Sequence, residues 1–374
     1  MTTSAPASSV LAAVDLALFT TLRLGGPARR LVVVTTARSC VETIRAADAA
    51  GEPLLLLAGG SNVVVSDRGF DGTVVRMAAT GSHIDDAGVL HAAAGHDWDA
   101  LVADTVAAGY GGLECLSGIP GSVGATPVQN VGAYGVELSD VLIEVDLYDR
   151  RCGVVRTVPV SELGLGYRTS VLKGADTAVV LGVRLALRRD GRSAPIRYPE
   201  LARALGVELG ARVPAALARA AVLTLRRGKG MVLDPADHDT WSAGSFFTNP
   251  VLDAAQAAVV LERIRSRVGP QVSVPQVSVP QVSVPQVSVP QYPDGSGRIK
   301  LSAAWLVERA GFTRGYRGPG GRVALSGKHT LALTNRGGAG TEDLLALARE
   351  IRDGVAGCFG VTLVPEPVLV NCAL

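Results

Sequence analysis

The chain has 374 residues, 48% hydrophobic and 19% charged, with a formal net charge of +2. That length exceeds one ordinary core and predicts two or three domains, while the near-neutral balance gives no ground for a nucleic-acid or membrane partner. The five scattered cysteines include no CxxC pair and fit reduced thiols, and the five histidines show no metal-ligand spacing, so no metal is expected.

In chain order, residues 1–18 are small and Ser/Ala-rich, and read as a flexible N-terminus. They lack the basic start of a signal peptide, and no apolar run reaches membrane-spanning length, so a cytoplasmic protein is expected. Leu31–Val34 reads as a strand, and residues 39–50 as a helix with Val41, Ile44 and Ala47 on one face. An apolar run from Leu54 ends in Gly59-Gly60-Ser61-Asn62 before Val63–Val65, the pattern of strand, tight polar turn, strand. Short strands are expected at 73–77 and 89–93, then a helix over 97–108 capped by Asp97.

Next comes GGLECLSGIPGSVGATPVQNVGAYG, Gly111 to Gly135, in which seven of twenty-five residues are glycine and only Glu114 is charged. Glycine gives up more conformational freedom on folding than any other residue. So dense a run, interleaved with Ile119, Val123, Val128 and Val131, predicts a rigid, partly buried loop whose N–H groups face a ligand. Neither GxGxxG nor GxxxxGK[ST] occurs, so the usual dinucleotide and P-loop geometries are absent.

Strands are expected at 141–148, 154–158 and 178–187, with Gly166-Tyr-Arg-Thr-Ser170 between the last two. Residues 196–201 read as a hinge, and helices are expected over 213–229, 252–268, 301–310 and 341–359, the last with Thr341 as N-cap. Residues 271–290 are QVSVP repeated four times. Proline on that period excludes a helix or a central strand and predicts an exposed extended loop. The chain closes on a strand over 361–370, where Glu366 stands alone among apolar residues. On pattern alone Glu366 either points to water from an edge strand or is buried with a raised pKa or a partner.

Taken together, AGGSN, SGIPGSVGATPVQNVGAYG, LGYRTS, GSFFTNP and VPEPVL, in that order over about residues 20–370, resemble the UDP-N-acetylenolpyruvoylglucosamine reductase family. These flavoenzymes complete UDP-N-acetylmuramate in bacterial cell-wall synthesis. The resemblance implies an α+β protein with a two-subdomain FAD-binding fold of the vanillyl-alcohol-oxidase type over 20–192, split at about 72/73. An α/β substrate-binding domain over 207–374 follows, in which 271–290 is an insertion and 361–370 returns to the active site. NADPH reduces FAD, and the enolpyruvyl group of UDP-N-acetylglucosamine enolpyruvate is then reduced. FAD is expected to be noncovalent, because no flavin-linking His or Cys motif is evident, and a monomer is expected.

The resemblance also assigns residues. Arg168 becomes the cation for the substrate carboxylate, Ser245 the proton donor, and Glu366 a stabiliser of the enolate. FAD contacts fall on Gly59, Gly60, Ser61, Asn62, Gly118, Ile119, Pro120, Gly121, Gly124, Ala125, Asn130, Gly132, Tyr134 and Gly135. Substrate contacts fall on Tyr198, Lys229, Asn249 and His329. The alternatives are another flavoenzyme of the superfamily, against which GSFFTNP and VPEPVL count, and a non-catalytic sugar-nucleotide-binding protein, against which the three catalytic-type residues count.

Overall fold

The computed structural model describes residues 8–268, 289–293 and 297–374. Its first sheet runs in the order Ser8–Asp15, Pro27–Val34, Phe70–Met77, Leu54–Leu57; the first pair is antiparallel and the other two are parallel. The parallel pairs need crossovers. The Ala37–Ala49 helix provides one and buries Cys40 and Ile44 against Val32, Val34 and Val75. Beneath the opposite face, Val63–Val65 pairs in parallel with Val368–Val370, the end of the chain against its beginning.

A second, wholly antiparallel sheet is ordered Val154–Pro159, Leu142–Asp149, Ala178–Ala186, Val89–Ala93, Ser82–Ile84. Its core takes in Trp98, Leu101 and Val102 of the Trp98–Ala107 helix, whose first turn is capped by Asp97 at 2.8 Å from the Ala100 N–H. The glycine-rich loop packs on this core and is pinned at its start by the fully buried Glu114, which accepts N–H groups of Gly112 and Ala194, each at 2.6 Å. A third core is formed by the Ala254–Val268, Ala303–Arg309 and Thr341–Phe359 helices and the Val323–Leu325/Leu333–Asn335 hairpin. Leu22, Leu24 and Val64 enter this core from the first part of the chain.

Several expectations are corrected. Residues 8–15 are a paired edge strand, and Leu16 is fully buried. Phe70–Met77 belongs to the first sheet, so the break between sheets falls after Met77 rather than at 72/73. The supposed hinge at 196–201 leads into a helix, Pro199–Leu205, with proline in its first turn, where no N–H is missed. That helix and Ala215–Gly228 pack Leu201, Ala202 and Val222 on the core of the second sheet rather than the third. Thr341 is already helical. Its N–H and that of Glu342 are capped by Asp67, at 2.7 and 3.2 Å, while its hydroxyl donates to the Val65 carbonyl. Only Val368–Val370 of the closing segment is a strand. Residues 271–288 of the repeat lie outside the described residues; its last two are described, and Val289 is buried in the third core rather than exposed.

Candidate active site

The Gly59–Asn62 turn ends the Leu54–Leu57 strand, and the glycine-rich loop crosses it. A methyl group on Gly59 would come within 2.7 Å of the Gly121 Cα, so the two backbones touch with no room for a side chain. Both turns wall a cavity of about 590 Å³, a size typical of a cofactor site. Arg168, Ser245 and Glu366 reach the same cavity from three separate loops. A larger cavity of about 970 Å³ lies beyond Arg168, against the Ala254–Val268 helix, but contains neither glycine turn, nor Ser245, nor Glu366.

Glu366 is the knot. Its N–H donates to the Phe246 carbonyl at 2.8 Å, which ties it to the GSFF segment. Its carbonyl accepts from the Asn62 amide at 3.4 Å, and its Oε1 accepts from the Gln129 amide at 3.3 Å. The Asn62 amide also donates to Gln129 Oε1 at 2.9 Å. Arg168 Nε stands 3.3 Å from Glu366 Oε1. Burial pushes the Glu366 carboxyl above the usual carboxylate range, against the opposing pull of Arg168, Lys173 and the Gln129 hydrogen bond. Of the two readings left open by sequence, burial with a partner is the one found.

Arg168 occupies a tight turn closed by reciprocal backbone hydrogen bonds between Gly166 and Thr169. Its φ is 54°, left-handed for a residue with a side chain, a conformation that costs on the order of 1–3 kcal/mol unless neighbours enforce it. They do: Arg168 Nη2 donates to the Gly132 carbonyl at 2.9 Å, and Lys173 Nζ donates to the Arg168 carbonyl at 2.9 Å. Ser245 follows Gly244, whose φ is 73°, and precedes Phe246 and Phe247, both 1% exposed. The Ser245 hydroxyl therefore enters the cavity from a dry wall, with Oγ 3.3 Å from His329 Nε2.

The buried polar atoms without hydrogen-bond partners cluster here. Ser122 Oγ, Arg168 Nε and Arg226 Nε are three of the five such atoms among the described residues, and all three residues line this cavity. An anionic ligand rich in acceptors satisfies such groups, and the twin glycine turns present backbone in place of side chains. The residues present fit FAD.

Residues 28–158 match the family model described as FAD binding domain, and residues 234–370 match the one described as UDP-N-acetylenolpyruvoylglucosamine reductase, C-terminal domain. The chain is 63% identical over 363 residues to the UDP-N-acetylenolpyruvoylglucosamine reductase of Saccharopolyspora erythraea, covering 96% of this chain and 95% of that one. The chain belongs to the UDP-N-acetylenolpyruvoylglucosamine reductase family. It is also 58% identical to the reductase of Nocardia farcinica, over 99% of this chain and 92% of that one. The crystal structure of UDP-N-acetylenolpyruvylglucosamine reductase from Thermus caldophilus superposes with a TM-score of 0.63 at 25% identity, covering 97% of this chain and 98% of that one. The α+β fold, with the family's FAD-binding part and C-terminal domain, is as expected from sequence.

Of the FAD contacts that the family resemblance assigned, Gly59, Gly60, Ser61, Asn62, Ile119, Pro120, Gly121, Gly124, Ala125 and Gly132 line the cavity. Gly118, Asn130, Tyr134 and Gly135 do not. Asn130 is 1% exposed and is used as a brace, donating to Glu137 at 2.8 Å and accepting from the Ser139 N–H at 3.0 Å. Tyr134 stacks edge-on against Tyr198, ring centroids 5.5 Å apart, with Lys229 Nζ 5.7 Å above its ring. Lys229 is ion-paired to Glu200. Asn249 borders the larger cavity instead and accepts the Ala303 N–H at 2.9 Å.

Three residues that line the cavity were not singled out from sequence. Gln129 lay unmarked inside the glycine loop, and Arg226 was one more arginine in an arginine-rich chain. Lys173 carried a weak signal as one of four lysines.

Proposed function

We propose that this chain reduces the enolpyruvyl group of UDP-N-acetylglucosamine enolpyruvate to give UDP-N-acetylmuramate, using FAD and NADPH, with Arg168, Ser245 and Glu366 as its catalytic residues. The observation that carries this reading is the convergence of those three side chains on the cavity walled by both glycine turns. The chemistry that bound FAD supplies is relay of a hydride from NADPH to the terminal carbon of the enolpyruvyl ether.

The side chains divide the remaining work. Negative charge develops on the carbon beside the one that receives the hydride and spreads into its carboxylate. Arg168 meets that carboxylate with a planar two-donor fork, always charged. Glu366, whose carboxyl burial raises above its ordinary pKa against the pull of Arg168 and Lys173, helps to stabilise the enolate that forms, as a hydrogen-bond donor when protonated. Ser245 hands its hydroxyl proton to the carbon. A hydroxyl is a weak acid, but an enolate-like carbon shielded from water is a strong base.

The diphosphate of the substrate calls for cations, and Arg226, which lines the cavity with an unpartnered Nε, supplies a buried one; Lys229, ion-paired to Glu200, and Tyr198 are the further contacts that we assign to the substrate. We divide the chain into an FAD-binding part, on whose second-sheet core the helices up to Gly228 still pack, and a substrate-binding part that begins after them, close to where the C-terminal family match starts at residue 234. Both walls of the cavity come from one chain, so we take the acting unit to be a monomer. Among the described residues no helix is long and apolar enough to cross a membrane. A net charge of +2 argues against a nucleic-acid or membrane partner, and reactants of this kind point to the cytoplasm.

The test is spectroscopic. The purified protein is expected to be yellow, to release FAD on denaturation, to bleach with NADPH, and to regain its colour on addition of UDP-N-acetylglucosamine enolpyruvate in the absence of oxygen. A reduced flavin that this substrate does not reoxidise defeats the reading.

A further inference from the structure

Ser245 must be held so that its proton faces the carbon it serves, and the chemistry above does not say what holds it. His329 lies in the turn between the Val323–Leu325 and Leu333–Asn335 strands, and its Nε2 is 3.3 Å from Ser245 Oγ. The same turn accepts the Phe246 N–H on the Leu331 carbonyl at 2.7 Å. A backbone hydrogen bond one residue along thus fixes the register of the side-chain contact.

The charge state of the ring follows from its surroundings. Burial, then Lys229, Arg314 and Arg226, drive the His329 pKa down to about 4, with Glu308 as the opposing group. Around neutral pH the ring is uncharged and carries a single N–H. If that hydrogen is on Nδ1, Nε2 is an acceptor and draws the Ser245 proton toward itself, away from the substrate. If it is on Nε2, the ring donates to Oγ, and the Ser245 proton is free to point into the cavity. A serine that acts as a nucleophile needs the first arrangement; a serine that acts as an acid toward carbon needs the second.

We propose that His329 is a positioning residue for proton delivery: as the neutral Nε2–H tautomer it donates to Ser245 Oγ, turns the Ser245 proton toward the substrate and stabilises the alkoxide left behind. The proposal rests on the role given to Ser245 above. In the step itself the Ser245 O–H bond breaks and a C–H bond forms. The alkoxide recovers its proton from water, and His329 ends with the proton it began with. Nearby Lys229, Arg314 and Arg226 add to the stabilisation of that alkoxide.

The experiment is stopped-flow reoxidation of the NADPH-reduced FAD holoenzyme by UDP-N-acetylglucosamine enolpyruvate. It compares the parent with His329→Leu, His329→Gln, Ser245→Ala and the Ser245→Ala/His329→Leu double variant, with flavin reduction by NADPH as the internal reference. His329→Leu is expected to slow the limiting rate of reoxidation by about 10²-fold, as for loss of one donor to a developing oxyanion, with little change in the substrate concentration giving half that rate. His329→Gln, whose amide N–H reaches about as far as Nε2, should recover most of the loss. In the Ser245→Ala background His329→Leu should cost nothing further.

Equal slowing in both backgrounds means that His329 acts on the substrate directly, and overturns the proposal. A His329→Leu rate equal to the parent, with Ser245→Ala slow, overturns it while leaving Ser245 as the acid. A Ser245→Ala rate equal to the parent removes the role of Ser245 itself, and this proposal with it. Should His329→Leu lose FAD or fail to fold, His329→Asn, which keeps an amide but stops short of Oγ, takes its place with the same expected slowing.

Discussion

Glu366 Oε1 lies 3.3 Å from Arg168 Nε, joining the last segment of the chain to the turn that follows the glycine-rich loop. Arg168 Nε has no well-aligned hydrogen bond despite that proximity. The contact is therefore chiefly coulombic, and it leaves guanidinium donors beyond the one given to the Gly132 carbonyl available to a substrate carboxylate.

That arrangement predicts the behaviour of Arg168→Lys. Lysine keeps the charge but not the planar fork, and it loses the Nη2 bond to the Gly132 carbonyl that helps hold the left-handed turn. Reoxidation of reduced flavin by the enolpyruvyl substrate should slow by about 10–100-fold, the order of one or two charge-assisted hydrogen bonds at roughly 1.4 kcal/mol per factor of ten. Single-turnover kinetics measure this directly, and an unchanged rate makes Arg168 a structural residue only.

Ser245→Ala removes the proposed acid. Reoxidation by substrate should fall by about 10²–10⁴-fold, the usual contribution of a positioned proton donor, or about 3–5 kcal/mol of barrier. Loss of a merely structural hydroxyl would lower stability by about 1 kcal/mol and leave the rate near that of the parent. Stopped-flow absorbance and a melting curve on the same sample separate the two.

Glu366 makes the stability of the fold depend on pH with a definite sign. Its carboxyl is raised above its ordinary value of 4.5 by burial. A group raised in the folded state contributes stability that is fully present below its unfolded pKa and is lost as pH rises through the folded one. Glu366→Gln mimics the protonated form at every pH. The melting temperature of the variant minus that of the parent should therefore increase as pH rises from the ordinary value of 4.5 through the raised folded-state one, even as the variant loses reductase activity. A difference that shrinks over that range means that Arg168 and Lys173 outweigh burial.

Gly59→Ala tests the contact between the two glycine turns. The added methyl would sit 2.7 Å from the Gly121 Cα, and backbone on both sides has little room to yield. Overpacking of this kind costs about 1–3 kcal/mol. The variant should retain less FAD through gel filtration and melt at a lower temperature; full FAD retention at the parent's melting temperature contradicts the close crossing.

Much of this was legible residue by residue. The Gly59–Asn62 turn, the Asp97 cap and the Thr341–Phe359 helix follow from local chemistry: glycine where backbones touch, a carboxylate facing free N–H groups, an apolar stripe at helical spacing. Glu366 drew attention because a lone carboxylate among Val361–Val370 is costly to bury unpaired. The local signals failed where the partner was remote. Ser8–Asp15 is an edge strand with mostly exposed side chains, so it carries no apolar alternation. Thr341 resembled a cap, but the capping carboxylate is Asp67, supplied from the other end of the chain.

What the sequence by itself determined is the set of chemical groups and the stiff turns that carry them, together with the family that this set identifies. Only the tertiary structure decided that Gln129, Arg226 and Lys173 line the same cavity as Ser245, and that Asn130 and Asn249 are spent on bracing. It also decided that Glu366 is held by the Asn62 turn, the glycine loop, the Arg168 turn and Phe246 at once. The reason lies in the pairing of Val368–Val370 with Val63–Val65. A parallel pairing between segments so far apart in the chain leaves no short-range period to read, yet that pairing brings the carboxylate to the site.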